Sequence, residues 1–163
     1  RSIELPLTVL HAQWQQVPAK LQKDAQLVYD YCQQLRLNHC DSEAEELLQK
    51  TLKRHWHDDL ILLYGQVKGA DIARQLLLAE GWLKSRTNSH LLTLTLGRLS
   101  LRNELWGKAR EYFEQSLQLQ ASPEAYAELA RLLAHLGDHK KSTEYYQQGL
   151  LLSAQELPDL PMP

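Results

Sequence analysis

"LGRLSLRNELWGKAREYFEQSLQL" (Leu96–Leu119) lies over "LARLLAHLGDHKKSTEYYQQGLLL" (Leu129–Leu152) without a gap, at an offset of 33 residues. Leu96/Leu129, Arg98/Arg131, Leu99/Leu132, Glu111/Glu144, Tyr112/Tyr145, Gln115/Gln148, Leu117/Leu150 and Leu119/Leu152 are identical pairs. Each copy holds an apolar stripe at helical spacing, a short polar break, and a second stripe. The second stripe carries a small residue (Ala109, Ser142) and a ring four positions later (Phe113, Tyr146). A helical pair of this size cannot bury its apolar face alone, so the copies must stack on one another.

Working back, "AQLVYDYCQQLRLNHCDSEAEELLQKTLKRHW" (Ala25–Trp56) fits a further copy, with Cys32 at the small first-helix place, Ala44 opening the second helix and Leu48 a turn later. Asp41 or Ser42 is placed to cap that second helix, with acidic residues favourable in its first turn. Between this copy and the aligned pair lies a degenerate one, "LILLYGQVKGADIARQLLLAEGWL" (Leu60–Leu83), whose first helix is clipped before Gly69 and restarts at Asp71. The expected organisation is one domain over 1–163. It comprises a helical lead-in (1–24, with a partial helix near Leu7–Gln16), repeats over 25–58, 59–89, 90–122 and 123–156, and a tail over 157–163.

The units resemble the tetratricopeptide repeat, a helix–turn–helix of about 34 residues. Its small first-helix residue is matched by Gly97 and Ala130, its small second-helix residue by Ala109 and Ser142, and its bulky one by Phe113 and Tyr146. Small residues let helices approach closely, and the large ring fills the gap beside them. The turn glycine is present as Gly137, whereas Glu104 stands there in the preceding unit; Pro123 opens a helix, a favourable first-turn place. The implied fold is all-α, a right-handed α-solenoid of tetratricopeptide-like helical hairpins.

Composition agrees with helix. Leu, Gln, Ala and Glu abound while Phe, Val and Ile are scarce, and straight-chain residues lose little rotamer freedom in a helix. A formal charge of −2 argues against nucleic acid as partner, which would need a basic excess. No run of 18 apolar residues is present to span a membrane. The chain opens at Arg1 without Met or signal peptide, which reads as a fragment, so that any anchor or address would lie outside it. Cys32 and Cys40 make neither a disulfide framework nor a C-x-x-C pair, and mildly favour a reducing compartment.

The wording of the repeats narrows the match. "LGRLSLRNELWGKAREYFEQSL", then "SPEAYAELARLLAHLGD" (Ser122–Asp138), is similar to the C-terminal domain of HemY proteins, as are "LPLTVLHAQWQQVP" (Leu5–Pro18) and "LKRHWHDDLILLYG" (Leu52–Gly65). The resemblance covers essentially the whole chain. It implies an integral inner-membrane protein of proteobacteria, anchored by N-terminal helices that this chain lacks; two such helices with an inside start would put the domain on the cytoplasmic side, the periplasmic side being the alternative. It also implies an association with late haem (tetrapyrrole) biosynthesis and partners drawn from that pathway. The unrelated flavoprotein oxidase that shares the name should carry a G-x-G-x-x-G fingerprint, and none occurs here.

Chemistry is sparse. "LKRHWHDDL" (Leu52–Leu60) holds His55 and His57 one residue apart with Asp58 and Asp59 beside them, a spacing that would suit a metal if extended. The repeat register instead puts it at a seam, where His favours a helix C-terminus, Trp56 plugs the gap, and Asp58 or Asp59 caps the next helix. His39 and Cys40 are adjacent and rarely reach one ion. No metal site is expected. There is no C-x-x-C-H attachment, and His11, His39, His55, His57, His90, His135 and His139 are scattered. Binding of haem or a porphyrin therefore stands as the alternative reading, with no cofactor as the first.

Nothing catalytic is expected either: G-x-S-x-G, the P-loop and H-E-x-x-H are all missing. Glu43, Glu45 and Glu46 read as one solvated face; Trp14, Trp56, Trp82 and Trp106 read as packing plugs, and Cys32 as core. The best candidate is the surface lined by the first helices, which in such repeats receives peptides or partner helices. Arg98 and Arg102 are four apart on one helix face, and Arg131 and His135 repeat that spacing on the next first helix. Leu94 and Leu101 flank the first pair, and Arg36, Tyr29 and Gln33 share a stripe of the earlier hairpin. Arginines on one wall would clamp a carboxylate, or else pair with acids such as Glu128. The expected role is a non-enzymatic protein–protein interaction scaffold.

Overall fold

The computed structural model describes residues 4–154 and 160–161. Residues 155–156 of the fourth repeat, and the expected tail apart from Leu160 and Pro161, lie outside the described residues. Those described form no strand. They make nine α-helices: α1 (Leu7–Gln16), α2 (Ala25–Leu37), α3 (Asp41–Arg54), α4 (Asp58–Tyr64), α5 (Ile72–Trp82), α6 (His90–Arg102), α7 (Trp106–Leu119), α8 (Pro123–His135) and α9 (His139–Ser153), with a 3-10 turn at Leu21–Lys23. The fold is all-α, built of helical hairpins, and the chain divides after Arg86 into two compact units.

In the first unit α2 and α3 form a hairpin whose contact runs through small residues. Cys32 and Ala44 are fully buried, and the Cys32 thiol points at the Ala44 carbonyl oxygen, 3.8 Å away. Burial pushes that thiol's pKa up to about 12. Leu48, a turn after Ala44, is buried too. α1 is tied on by polar bonds: the Leu5 N–H donates to Gln34 Oε1 (3.1 Å), and Asn38 Nδ2 donates to the Leu5 carbonyl (2.8 Å). Trp14 stacks on Tyr31 at 4.1 Å, and Glu43 accepts from the Tyr31 hydroxyl and faces His11 Nε2, both at 3.0 Å.

The degenerate repeat closes the first unit. α4 ends after seven residues, and the loop that follows would strand its backbone groups if nothing reached them. Buried Gln75 does so: Nε2 donates to the Tyr64 and Val67 carbonyls, each at 3.0 Å, and Oε1 accepts the Gly69 N–H at 3.0 Å. Asp71 then caps α5, accepting from the Arg74 N–H at 2.9 Å.

Two capping expectations need correction. Neither Asp41 nor Ser42 caps α3; Cys40 is its cap residue and makes no side-chain bond to the helix start. The Asp41 carboxylate is spent elsewhere, accepting the Lys68 N–H at 2.8 Å and so pinning the loop after α4. Nor does Asp58 or Asp59 cap α4. His57 holds that place, and both aspartates lie within the first turn, where they still favour the positive helix end.

In the second unit α6 and α7 approach through Gly97. A Cβ there would sit 2.3 Å from the ring of Phe113, so only glycine admits that fully buried ring. The Ser116 hydroxyl donates to the His90 carbonyl at 2.8 Å, closing the other end. α8 and α9 repeat the contact, with Ser142 Oγ donating to the Ala130 carbonyl at 2.7 Å. Here the expectation for Tyr146 fails: the ring is 48 % exposed. Ala130 carries the Cβ that Gly97 lacks, and no described helix follows α9 to cover the ring.

All three of the clear hairpins turn alike. His39 (φ 58°), Glu104 (φ 59°) and Gly137 (φ 88°) each stand two residues past a helix end, in the left-handed region. The next N–H in each case bonds back five residues: Cys40 to Leu35 at 2.8 Å, Leu105 to Ser100 at 3.0 Å, Asp138 to Leu133 at 2.9 Å. This is the Schellman termination, which satisfies the last carbonyls of the helix. Glu104 therefore keeps the glycine's conformation without being glycine.

Candidate partner-binding cleft

The ends of α6, α7 and α8 frame the candidate site. α8 starts at Pro123 because the Ser122 hydroxyl accepts the Ala125 N–H at 3.2 Å and proline suits the first turn. α6 starts under the Ser89 hydroxyl, which accepts the Leu92 N–H at 3.2 Å. The left-handed turn at Glu104 sets α7 going at Trp106, so this indole stands at the first position of its helix.

A cleft of about 530 Å³ results, lined by Leu101, Trp106, Arg131, Leu132, His135 and Leu136. That volume is in the range of ligand and side-chain pockets. Its lip is apolar and wet: Trp106 is 45 % and Leu136 53 % exposed. Exposed rings and leucines clustered around a concavity recover roughly 25 cal/mol for each Å² that a partner covers.

Arginines stand over the apolar floor. Arg98 Nε donates to Glu128 Oε1 at 3.1 Å, joining α6 to α8, and Arg131 Nη2 donates to Glu128 Oε2 at 2.5 Å. One carboxylate thus serves two guanidiniums, and the trio keeps a net positive charge. Arg98 is largely covered, whereas the Arg131 side chain is 60 % exposed. Arg131 retains donors for an acidic group on a partner.

Of the residues singled out from the sequence, Leu101, Arg131 and His135 come together in this cleft, with Arg98 fixed beside Arg131 through Glu128. Arg102 is half-buried in the last turn of α6. Leu94 is buried and presents no surface to a partner. Tyr29, Gln33 and Arg36 form their own row on α2 in the first unit. Gln33 Nε2 donates to the Tyr29 hydroxyl (2.9 Å), and Arg36 donates to Gln33 Oε1 and to Gln66 Oε1, both at 3.0 Å.

Trp106, Leu132 and Leu136 complete the cleft and escaped the sequence reading. Trp106 is not the buried plug expected of it. Its place right after a turn, at the first residue of a helix, was the available signal.

The other tryptophans do pack. Trp56 meets Trp82 edge-on at 5.8 Å and lies under the Arg86 guanidinium at 4.1 Å, while Trp82 meets Tyr64 at 5.1 Å. His55 ends α3 in extended conformation and His57 precedes α4, both exposed. Among the described residues no three His, Cys, Asp or Glu side chains are placed to hold a metal ion. No helix among them is long and apolar enough to cross a membrane.

No protein-family model matches the chain, and no curated protein does. Solved structures do. A thermophilic TPR protein of Thermus thermophilus, TTC0263, superposes with TM-score 0.66 at 18% identity, over 92% of this chain and 82% of that one. MamA 41-end from Desulfovibrio magneticus RS-1 gives 0.58 at 16%, over 82% and 78%. Another MamA crystal structure gives 0.60 at 13%, over 90% and 87%. At such identities the likeness concerns the fold alone: this chain has the tetratricopeptide-type arrangement of helical hairpins.

Proposed function

We propose that the chain is a non-enzymatic interaction scaffold whose cleft between α6, α7 and α8 takes a short partner segment. The observation that carries this is the open apolar lip of Trp106 and Leu136 beside the partly exposed Arg131. An apolar side chain would fill the floor formed by Leu101 and Leu132, and a neighbouring carboxylate would reach Arg131 and His135. The repeat fold supports protein partners in general. The similarity of Leu96–Leu117 and Ser122–Asp138 to HemY proteins supports a narrower version. In it the domain belongs to a bacterial inner-membrane protein, faces the cytoplasm, and gathers proteins of late haem biosynthesis.

Co-purification with the full-length, membrane-anchored protein tests this. Replacing Arg98 and Arg131 with Ala should remove tetrapyrrole-synthesis proteins from the purified set; an unchanged set would remove the cleft from the account.

One observation favours a second reading, that the cleft binds haem or a porphyrin. His135 lines an apolar cavity of about 530 Å³ with Arg131 beside it, an arrangement in which imidazole would meet iron and guanidinium a propionate. Titration with haemin decides it. A saturable Soret shift at micromolar haemin that His135→Ala abolishes would support carrier function, and no saturable shift would dismiss it.

A further inference from the structure

A second concavity, of about 240 Å³, lies in the first unit, where Trp14, the 3-10 turn and the last turns of α3 meet. Its lining is one-sided in charge. Lys23 comes from the 3-10 turn, Lys50 and Arg54 from α3, and His55 from the residue that ends α3. No carboxylate lines it. In a chain whose formal charge is −2, a pocket lined by three cations and an imidazole, with no acid, departs from the general mixing of signs. Among the described residues none of these four makes an ion pair.

The frame that carries these groups is held by packing and hydrogen bonds. Trp14 is fixed by its stack on Tyr31. Gln22 Nε2 donates to the Trp14 and Val17 carbonyls at 2.9 and 3.1 Å, fastening the 3-10 turn to the end of α1. The Thr51 hydroxyl donates to the Leu47 carbonyl at 2.8 Å. The carbonyl end of α3 favours cations in its last turn, which accounts for Arg54 but neither for Lys50, a turn earlier, nor for Lys23, brought in from another element. Lys50 and Arg54 stand four apart on one helix, a like-charge spacing that disfavours the helix unless an anion relieves it. The volume is below that of drug-sized sites, and suits one compact, multiply charged group.

We propose that this pocket binds a small polyanion of the phosphate type, with Lys23, Lys50 and Arg54 as its charge partners and Trp14 as its wall. The group is either a free phosphate compound or a phospholipid headgroup.

The test titrates the intact protein with inorganic pyrophosphate at constant ionic strength, by calorimetry. In parallel it measures flotation with vesicles of phosphatidylcholine containing phosphatidic acid, whose headgroup is a phosphate monoester. The comparison is Lys50→Gln/Arg54→Gln, exposed changes that keep helix propensity, with circular dichroism confirming the fold. Saturable pyrophosphate binding that weakens about tenfold or more in the double variant supports the site, as the loss of charge-assisted bonds requires. If vesicles also float the parent but not the variant, the source is a headgroup; if pyrophosphate alone binds, it is a free phosphate compound. Equal affinities for parent and variant, or no saturable binding of either probe, overturn the proposal.

Discussion

At the residue scale, single positions decide how the hairpins close. Gly97 exists for Phe113: Gly97→Ala drives a methyl into a fully buried ring and should cost about 1–3 kcal/mol in urea unfolding, as overpacking does. Shrinking the ring should return most of that loss, so Gly97→Ala/Phe113→Leu is expected to be more stable than the sum of the two single changes. The same place in the first unit already pairs Cys32 with Leu48, a larger residue against a smaller partner. The left-handed turns give the converse prediction. Glu104 holds a non-glycine Cβ in its turn, and Glu104→Gly should raise stability by about 1 kcal/mol by removing that strain. His39→Gly should gain less, because histidine tolerates this region better than most residues. Gly137→Ala should lose about 1 kcal/mol. Urea midpoints of the three variants measure the set, and an unchanged Glu104→Gly would deny that strain resides there.

At the element scale, the α6–α9 hairpins were legible in the sequence, because two copies aligned without a gap and their small and bulky places followed steric rules. The 3.6-residue period and the stop signals also placed α1, the restart at Asp71 and the opening of α8 at Pro123. The degenerate repeat was harder to read, since its stability rests on a polar residue. Gln75 occupies a core place where an apolar one would be expected, and it serves three backbone groups of the loop after α4. Gln75→Leu keeps the volume but strands those groups, and should destabilise by about 3 kcal/mol, with the Gly69 amide losing its exchange protection first. Wild-type protection at Gly69 in that variant would show the bonds to be dispensable. The capping errors at Asp41 and Asp58 have a common physical origin. Acidic residues near a helix start serve equally as caps, first-turn charges or partners of distant N–H groups, and at Asp41 only the tertiary contact with the Lys68 N–H selects among these. The cleft was half legible: the arginine spacing was visible, but Trp106 and Leu136 could be recognised as lip residues only once the turn geometry was known.

At the scale of the whole molecule, buried weak acids set an alkaline limit. Burial raises the pKa of Cys32 to about 12 and pushes Tyr31 and Tyr64 above the ordinary tyrosine range, each tyrosine also donating to a glutamate. A folded-state pKa above the unfolded one means that the protonated form is held in the native state. The associated stability is intact below pH 9 and is lost as pH rises toward 12. Cys32→Ala, which places in α2 the residue that Ala130 already supplies in α8, should lose less stability than the parent between pH 8 and about 11. Parallel urea-midpoint curves over that range would exclude the thiol as a contributor.

The central claim is that this helical-repeat chain works by holding a partner segment in the cleft of α6, α7 and α8. Site-specific photocrosslinking in cells tests it most directly, with a benzophenone side chain at Leu136 on the lip and, as control, at Glu144, exposed on α9 and outside the lining. The account predicts a discrete protein adduct from Leu136, lost on Trp106→Ala/Arg131→Ala, and none from Glu144. Equal crosslinking from both positions, or an adduct at Leu136 indifferent to the loss of Trp106 and Arg131, would contradict it.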